Sequence, residues 1–216
     1  MIGILLVDDH ELVRTGIKRL LEDQEGLIIL GEAGSGEEAM EKLRSFDTQP
    51  QVVMMDLNMP GVGGLETTRN ILKRYPNIKV IIVSMVDEGI LPGRVLKAGA
   101  MGYVTKGSGI SEMTHAISEV TSGRRYVSPD IAQKMLSESL DGEKSPFEDL
   151  SERELQVMLM LMDGIRINDI SEKLCLSPKT VSTYRYRIYD KLDIHSDMEL
   201  VKMALEHGIM ADTRLL

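Results

Sequence analysis

The chain is poor in aromatic residues and almost devoid of cysteine, with no tryptophan, two phenylalanines and one cysteine in 216 residues. A single thiol excludes an internal disulfide and any zinc site built from several cysteines. Cys175 lies in the apolar context KLCLS, where a buried, inert thiol is expected. No apolar run approaches the roughly 20 residues that span a bilayer. The first apolar stretch has no cationic segment before it, so a secretory leader is not expected either. These features fit a reducing cytoplasm with no membrane partner. Aromatic content of 4% offers little material for a ligand pocket, which usually has aromatic walls. Base is not in excess: 25 basic residues face 34 acidic ones, a net charge of −9. That balance argues against indiscriminate nucleic-acid binding by the whole surface.

What is present follows two different grammars. Up to about Gly123, short apolar runs at 3–7, 27–33, 51–55, 79–83 and 102–104 alternate with amphipathic stretches near 11–23, 36–46, 64–74, 92–98 and 109–122. Five strands alternating with five helices mean an α/β domain with a doubly wound parallel sheet. Gly89, Pro92 and Gly93 leave the fourth helix short or irregular. Beyond Gly123 the strand signal stops. Residues 1–123 therefore read as one domain, 124–149 as a linker with a helix over 129–140 and a polar hinge over 141–149, and 150–210 as an all-α domain. In that last part, Ser151 and Glu154 make a capping box, and Leu155, Met158, Leu159 and Met162 form a helical stripe that Gly164 ends. Further helices are expected near 167–174, 178–191 and 196–207.

The acids of the first domain sit where strands end. Asp8 and Asp9 follow MIGILLV, Asp56 follows QVVMM, Ser84 follows VIIV and Lys106 follows GYVT. In an open parallel sheet, ligands bind in the crevice beyond the strand C-termini. Clustered carboxylates repel one another and call for a cation. Magnesium, with manganese as its substitute, takes one or two carboxylates, waters and phosphate oxygens. Asp9, Asp56 and a backbone carbonyl near Asn58 can supply that set, with Asp8 acting through water. Asp56 can then attack phosphorus to form an aspartyl phosphate, while Lys106 and Ser84 contact phosphate oxygens.

LCLSPKTVSTYRYRIYDKL has the pattern of a helix-turn-helix. The stretch 178–192 holds four bases against one acid. Val181, Ile188 and Leu192 share one face; Lys179, Thr180, Ser182, Thr183, Tyr186, Arg187 and Lys191 occupy the other. Short hydroxyls set between bases suit a major groove.

With LLVDD, MMDLNMPGVGG, VIIVS and GYVTKG, residues 1–123 resemble a response-regulator receiver domain. The segment from LSERELQV to about Gly208 resembles the LuxR-type helix-turn-helix of the NarL/FixJ family. Through VDDHELVRTGI, RRYVSPDIAQ and LCLSPKTVSTYRYRI the chain is similar to the Gac/UvrY-type global activators. The resemblance implies a flavodoxin-like (βα)5 sheet of order 2-1-3-4-5 ahead of a small four-helix domain. It implies phosphorylation of Asp56 by a sensor histidine kinase, magnesium held at Asp8, Asp9 and Asp56, phosphate contacts from Ser84 and Lys106, and Tyr103 as the switch aromatic. In the tail it implies base reading by Ser182, Thr183 and Tyr186, and phosphate contacts from Lys179, Thr180, Arg185, Arg187 and Lys191. A homodimer on promoter DNA, with the last helix (Met198, Leu200, Val201, Ala204) as a dimer or core face, and control of small regulatory RNA genes complete the expectation. The chain departs from many receivers in having Gly107 where they have proline, and from many relatives of the tail in having Tyr184 where they have histidine. No turnover beyond slow autodephosphorylation is expected. An aspartyl-phosphate phosphatase of the haloacid dehalogenase type is the enzymatic alternative, although it needs an acid where Asn58 stands. A ligand-sensing regulator with the same tail is the other.

Overall fold

The computed structural model describes residues 1–85, 90–140 and 145–207. It contains two compact units, the first ending at Ala132 and the second built mainly from Gln133 onward. In the first unit, β1 (Ile2–Val7), β2 (Leu27–Ala33), β3 (Val52–Met55), β4 (Lys79–Ser84), β5 (Gly102–Thr105) and β6 (Tyr126–Val127) form one sheet. Its order is β2-β1-β3-β4-β5-β6, and every pairing is parallel. The helices are α1 (Glu11–Glu22), α2 (Gly36–Ser45), α3 (Gly64–Arg74), α4 (Ile90–Lys97) and α5 (Ile110–Thr121). The central strands are buried along nearly their whole length, because a parallel sheet is covered on both faces and must be apolar on both.

The sheet matches the expected α/β class and order, with one strand added. Tyr126–Val127 pairs with Gly102 and Tyr103, beyond the point where strands were expected to stop. Two residues at an edge are too few to show a period. Among the described residues helix α4 covers Ile90–Lys97, a short helix that contains Pro92 and Gly93. Gly89 lies outside the described residues.

The second unit contains most of α6 (Pro129–Leu140), which starts in the first unit, followed by α7 (Glu152–Met162), α8 (Ile167–Lys173), α9 (Pro178–Leu192) and α10 (Asp197–Glu206). The first four residues of the expected hinge, and residues 208–210 of the expected tail domain, lie outside the described residues. The rest of the hinge is packed: Pro146–Asp149 forms a 3-10 turn that buries Phe147 completely, edge-on to the His207 ring at 5.9 Å. One aromatic in a polar run was enough to anchor it.

Cys175 departs from expectation, since its thiol is exposed. The residue has φ +53°, just past the end of α8 at Leu174. The left-handed turn into α9 directs residue 175 outward, and Leu174 takes the core position. In α10, Leu200 and Ala204 are fully buried while Met198 and Leu205 are exposed. Of the four apolar residues expected to form either a dimer or a core face, Leu200 and Ala204 therefore belong to the core.

The capping box at α7 is formed in both directions: Glu154 N–H donates to Ser151 Oγ at 3.3 Å and Ser151 N–H to Glu154 Oε2 at 2.7 Å. Ser151→Ala is expected to lower the stability of the second unit by about 1 kcal/mol. Urea unfolding followed by circular dichroism measures it, and an unchanged midpoint refutes it.

Candidate functional site

The strand order decides which residues can meet. β1 lies beside β3, and β4 lies between β3 and β5, so the residues following these strands line one rim. Asp8, Asp9, His10 and Asp56 each place a ligand atom there, all within 4.8 Å of one another. Lys106 reaches across from the end of β5. Its Nζ lies 2.8 Å from Asp8 Oδ2 and 2.9 Å from Asp56 Oδ2.

The backbone around Asp56 leaves little room for change. Asp56 N–H donates to the Val7 carbonyl at 2.8 Å, and Asn58 N–H approaches Asp56 Oδ1 at 3.4 Å. Asn58 is exposed on the loop that follows. A Cβ at Gly64 would stand 1.9 Å from the Asp56 carbonyl oxygen, so only glycine lets α3 start against that loop. Asp8 is held as well: Arg14 Nη1 donates to its carbonyl at 2.5 Å, and His10 N–H to its Oδ1 at 2.8 Å. Glu32 fixes Arg14 in turn at 3.3 Å. Arg14 and His10 escaped the sequence reading because each is a common residue on an ordinary helical start.

Ser84 is fully buried at the end of β4, paired in register with Thr105, and its carbonyl accepts from Lys106 N–H at 2.9 Å. Tyr103 is also fully buried, so its ring lies inside rather than half out at the sheet edge. Burial raises the Asp56 pKa above the ordinary carboxylate value, and the nearby Lys106 charge only partly offsets this. Burial alone would lower the Lys106 pKa, but the Asp56 and Asp8 carboxylates outweigh it and raise it. The two shifts describe one buried ion cluster with more negative than positive charge.

The second candidate surface is α9. Ser177 Oγ accepts from Thr180 N–H at 3.1 Å and Pro178 occupies the first turn, a standard helix start. Val181, Ile188 and Leu192 are buried and seat the helix. Lys179, Ser182, Thr183, Tyr186 and Arg187 are exposed, Tyr184 is half-buried, and Thr180, also half-buried, contacts Ser177 through its hydroxyl. Ser182 and Thr183 donate to the carbonyls of Pro178 and Lys179, both at 2.9 Å. Two of the bases expected to contact DNA phosphates also have partners within the unit. Arg185 makes a two-pronged contact with Asp197 at 2.6 and 3.1 Å, and Tyr189 donates to the same carboxylate at 2.5 Å. Lys191 pairs with Glu154 at 2.7 Å and donates to the Asp149 carbonyl at 2.9 Å. No local pattern in the sequence marked Asp197 or Glu154 as their partners, because the pairs are formed by packing of α9 on α10 and α7.

Both parts of the chain have counterparts among known proteins. Residues 4–118 match the response regulator receiver domain family, and residues 148–204 match the bacterial regulatory proteins of the luxR family. The chain is 53% identical over 211 residues to Response regulator GacA of Pseudomonas protegens, covering 97% of this chain and 98% of that protein. It is 51% identical over 211 residues to Response regulator UvrY of Escherichia coli, covering 97% and 96%. Among solved structures, a two-component response regulator of the LuxR family from Aurantimonas is 40% identical with a TM-score of 0.60, over 64% of this chain and 97% of that one. RcsB from Salmonella enterica, solved bound to promoter rprA, shares the fold at 24% identity, with a TM-score of 0.68 over 94% and 98%.

The raised Asp56 pKa has a consequence for stability. The folded state binds this proton more tightly than the unfolded chain, so the contribution is fully present below the unfolded pKa and is lost as pH rises through the folded one. At neutral pH the ionised carboxylate is therefore a cost. Asp56→Asn is expected to raise the melting temperature of the first unit at pH 7 in metal-free buffer, and the gain shrinks in acid. A lower melting temperature at pH 7 in scanning calorimetry contradicts it.

Proposed function

This chain belongs to the response regulators that join a receiver domain to a LuxR-family domain, and from that membership we propose that Asp56 takes up a phosphoryl group from a sensor histidine kinase and that α9 reports the event to promoter DNA. The observation that carries the reading is the convergence of Asp8, Asp9 and Asp56 on one rim, with Lys106 within 2.9 Å of two of them.

An Asp56 carboxylate oxygen attacks the phosphorus of a phosphohistidine. The new O–P bond forms as the N–P bond breaks, and the electron pair leaves with the donor imidazole. Little covalent chemistry is asked of the protein, so positioning and neutralisation dominate. Lys106 can transfer its attraction from the Asp56 oxygen to the incoming phosphoryl oxygens, and the Ser84 hydroxyl can donate to another. The oxygen donors of Asp8, Asp9, Asp56 and the Asn58 carbonyl fit Mg2+ or Mn2+; when bound, such an ion neutralises charge on the phosphoryl oxygens. Asn58 leaves no second acid two residues after Asp56, which favours an acceptor with slow autodephosphorylation over a phosphatase. Phosphorylation then biases a two-state arrangement of Ser84 and Tyr103.

For DNA, Ser182, Thr183 and Tyr186 project as base readers, and Lys179, Thr180 and Arg187 as phosphate contacts. Arg185 and Lys191, held by Asp197 and Glu154, set the angle at which α9 is presented. Exposed Met198 and Leu205 on α10 offer apolar area for a homodimer, which would place two recognition helices in successive major grooves. The likeness to Gac/UvrY-type activators extends the proposal to promoters of small regulatory RNA genes, and cytoplasmic residence follows from that role.

Asp56→Asn is expected to abolish phosphoryl uptake from the kinase or a small phosphodonor, and full labelling of that variant overturns the assignment. Replacing both Lys179 and Arg187 by Ala is expected to weaken binding to all DNA sequences and to reduce the slope of log affinity against log salt by about 2. Fluorescence anisotropy over a salt series measures it; an unchanged slope rules out phosphate contacts by these two residues.

A further inference from the structure

The imidazole of His10 is not used in the function above, yet it belongs to the same cluster. His10 is the residue before α1, in extended conformation (φ −86°, ψ 99°), and its side chain makes no capping bond to the helix. Its Nδ1 instead points to the acids, 2.9 Å from Asp9 Oδ1 and 3.5 Å from Asp8 Oδ1. Two adjacent ligands of a six-coordinate ion, each about 2.1 Å from the metal, lie about 3 Å apart. The Nδ1 to Asp9 Oδ1 distance of 2.9 Å fits such a ligand edge.

Resting on the reading of Asp8, Asp9 and Asp56 as a divalent-ion site, we propose that His10 Nδ1 is an additional ligand and that the site prefers borderline transition ions such as Mn2+ and Co2+ over Mg2+. Magnesium favours all-oxygen shells, whereas imidazole nitrogen suits the first-row transition ions. The same 2.9 Å separation also fits an Nδ1–H donating to Asp9 Oδ1, with oxygen ligands alone around the ion. These two arrangements differ in what the ion touches.

The deciding experiment is pulsed electron spin resonance on the full chain loaded with Mn2+, which detects nitrogen coupled to the ion. Alongside it, calorimetric titrations compare Co2+ with Mg2+ in the wild type and in His10→Gln. Transition ions bind most mixed sites more tightly than magnesium, so the dependence on His10 is the evidence and the order of affinities is not. The expected result is an imidazole coupling that changes when histidine alone is labelled with 15N and is absent in His10→Gln. The ratio of Co2+ to Mg2+ affinity is expected to fall about tenfold or more in that variant. Bound Mn2+ with no nitrogen coupling overturns the inference and leaves the acidic site standing. Coupling that persists in His10→Gln assigns it to His115, His195 or His207 and also overturns it. If neither Mn2+ nor Mg2+ binds the wild type, the acidic-site reading fails first. Should His10→Gln fail to fold, the 15N pattern of the wild type still shows whether an imidazole is bound.

Discussion

Two carboxylates buried beside one ammonium set the terms for the first unit. Asp8 and Asp56 are almost inaccessible to solvent, and a charge taken out of water needs compensation nearby. Lys106 provides part of it from a different strand. The arrangement can exist only because β1, β3 and β5 end at the same rim, and they do so because the apolar strands stack in one order. Core packing and site chemistry are thus one constraint: a shift in the register of β5 would draw Lys106 away and leave the acids uncompensated. Burial, with the Asp8 charge adding a smaller part, raises the Asp56 pKa, and the acids are ready to accept a further positive partner.

The second unit follows the opposite logic, with charges used to hold a helix rather than to wait for a ligand. Arg185 and Lys191 are both on α9, and each is engaged by an acid of a neighbouring helix. The Arg185–Asp197 pair is partly exposed and contributes little to stability, whereas Lys191 compensates the buried Glu154 carboxylate; together they restrict rotation of α9 about its own axis. The side chains that remain outward, Lys179, Tyr186 and Arg187 among them, are consequently presented in a fixed arrangement.

Much of this was legible in the residues. Strand runs such as VVMM and VIIV are continuous apolar segments that only a sheet covered on both faces explains, and polar residues at their ends pointed to the rim. The capping box at Ser151 and Pro178 at the start of α9 were readable because their chemistry is local. What could not be read depended on distant partners. Tyr126–Val127 became a strand only because β5 offered an edge, and Phe147 seats the turn Pro146–Asp149 because its ring is buried in the core. That Arg185 and Lys191 pair with Asp197 and Glu154 had no local sign in the sequence. Cys175 was misjudged because its flanking leucines were read as its own environment, whereas the backbone turn directs it away from them.

The position of that cysteine has a practical side. It is the sole sulfhydryl in the chain, it faces solvent, and it stands three residues ahead of the helix whose outer face is proposed to meet DNA. A maleimide dye would couple there with one-to-one stoichiometry and without any engineering of the natural sequence. Its emission would register the approach of a duplex in real time, with no residue of the chain replaced.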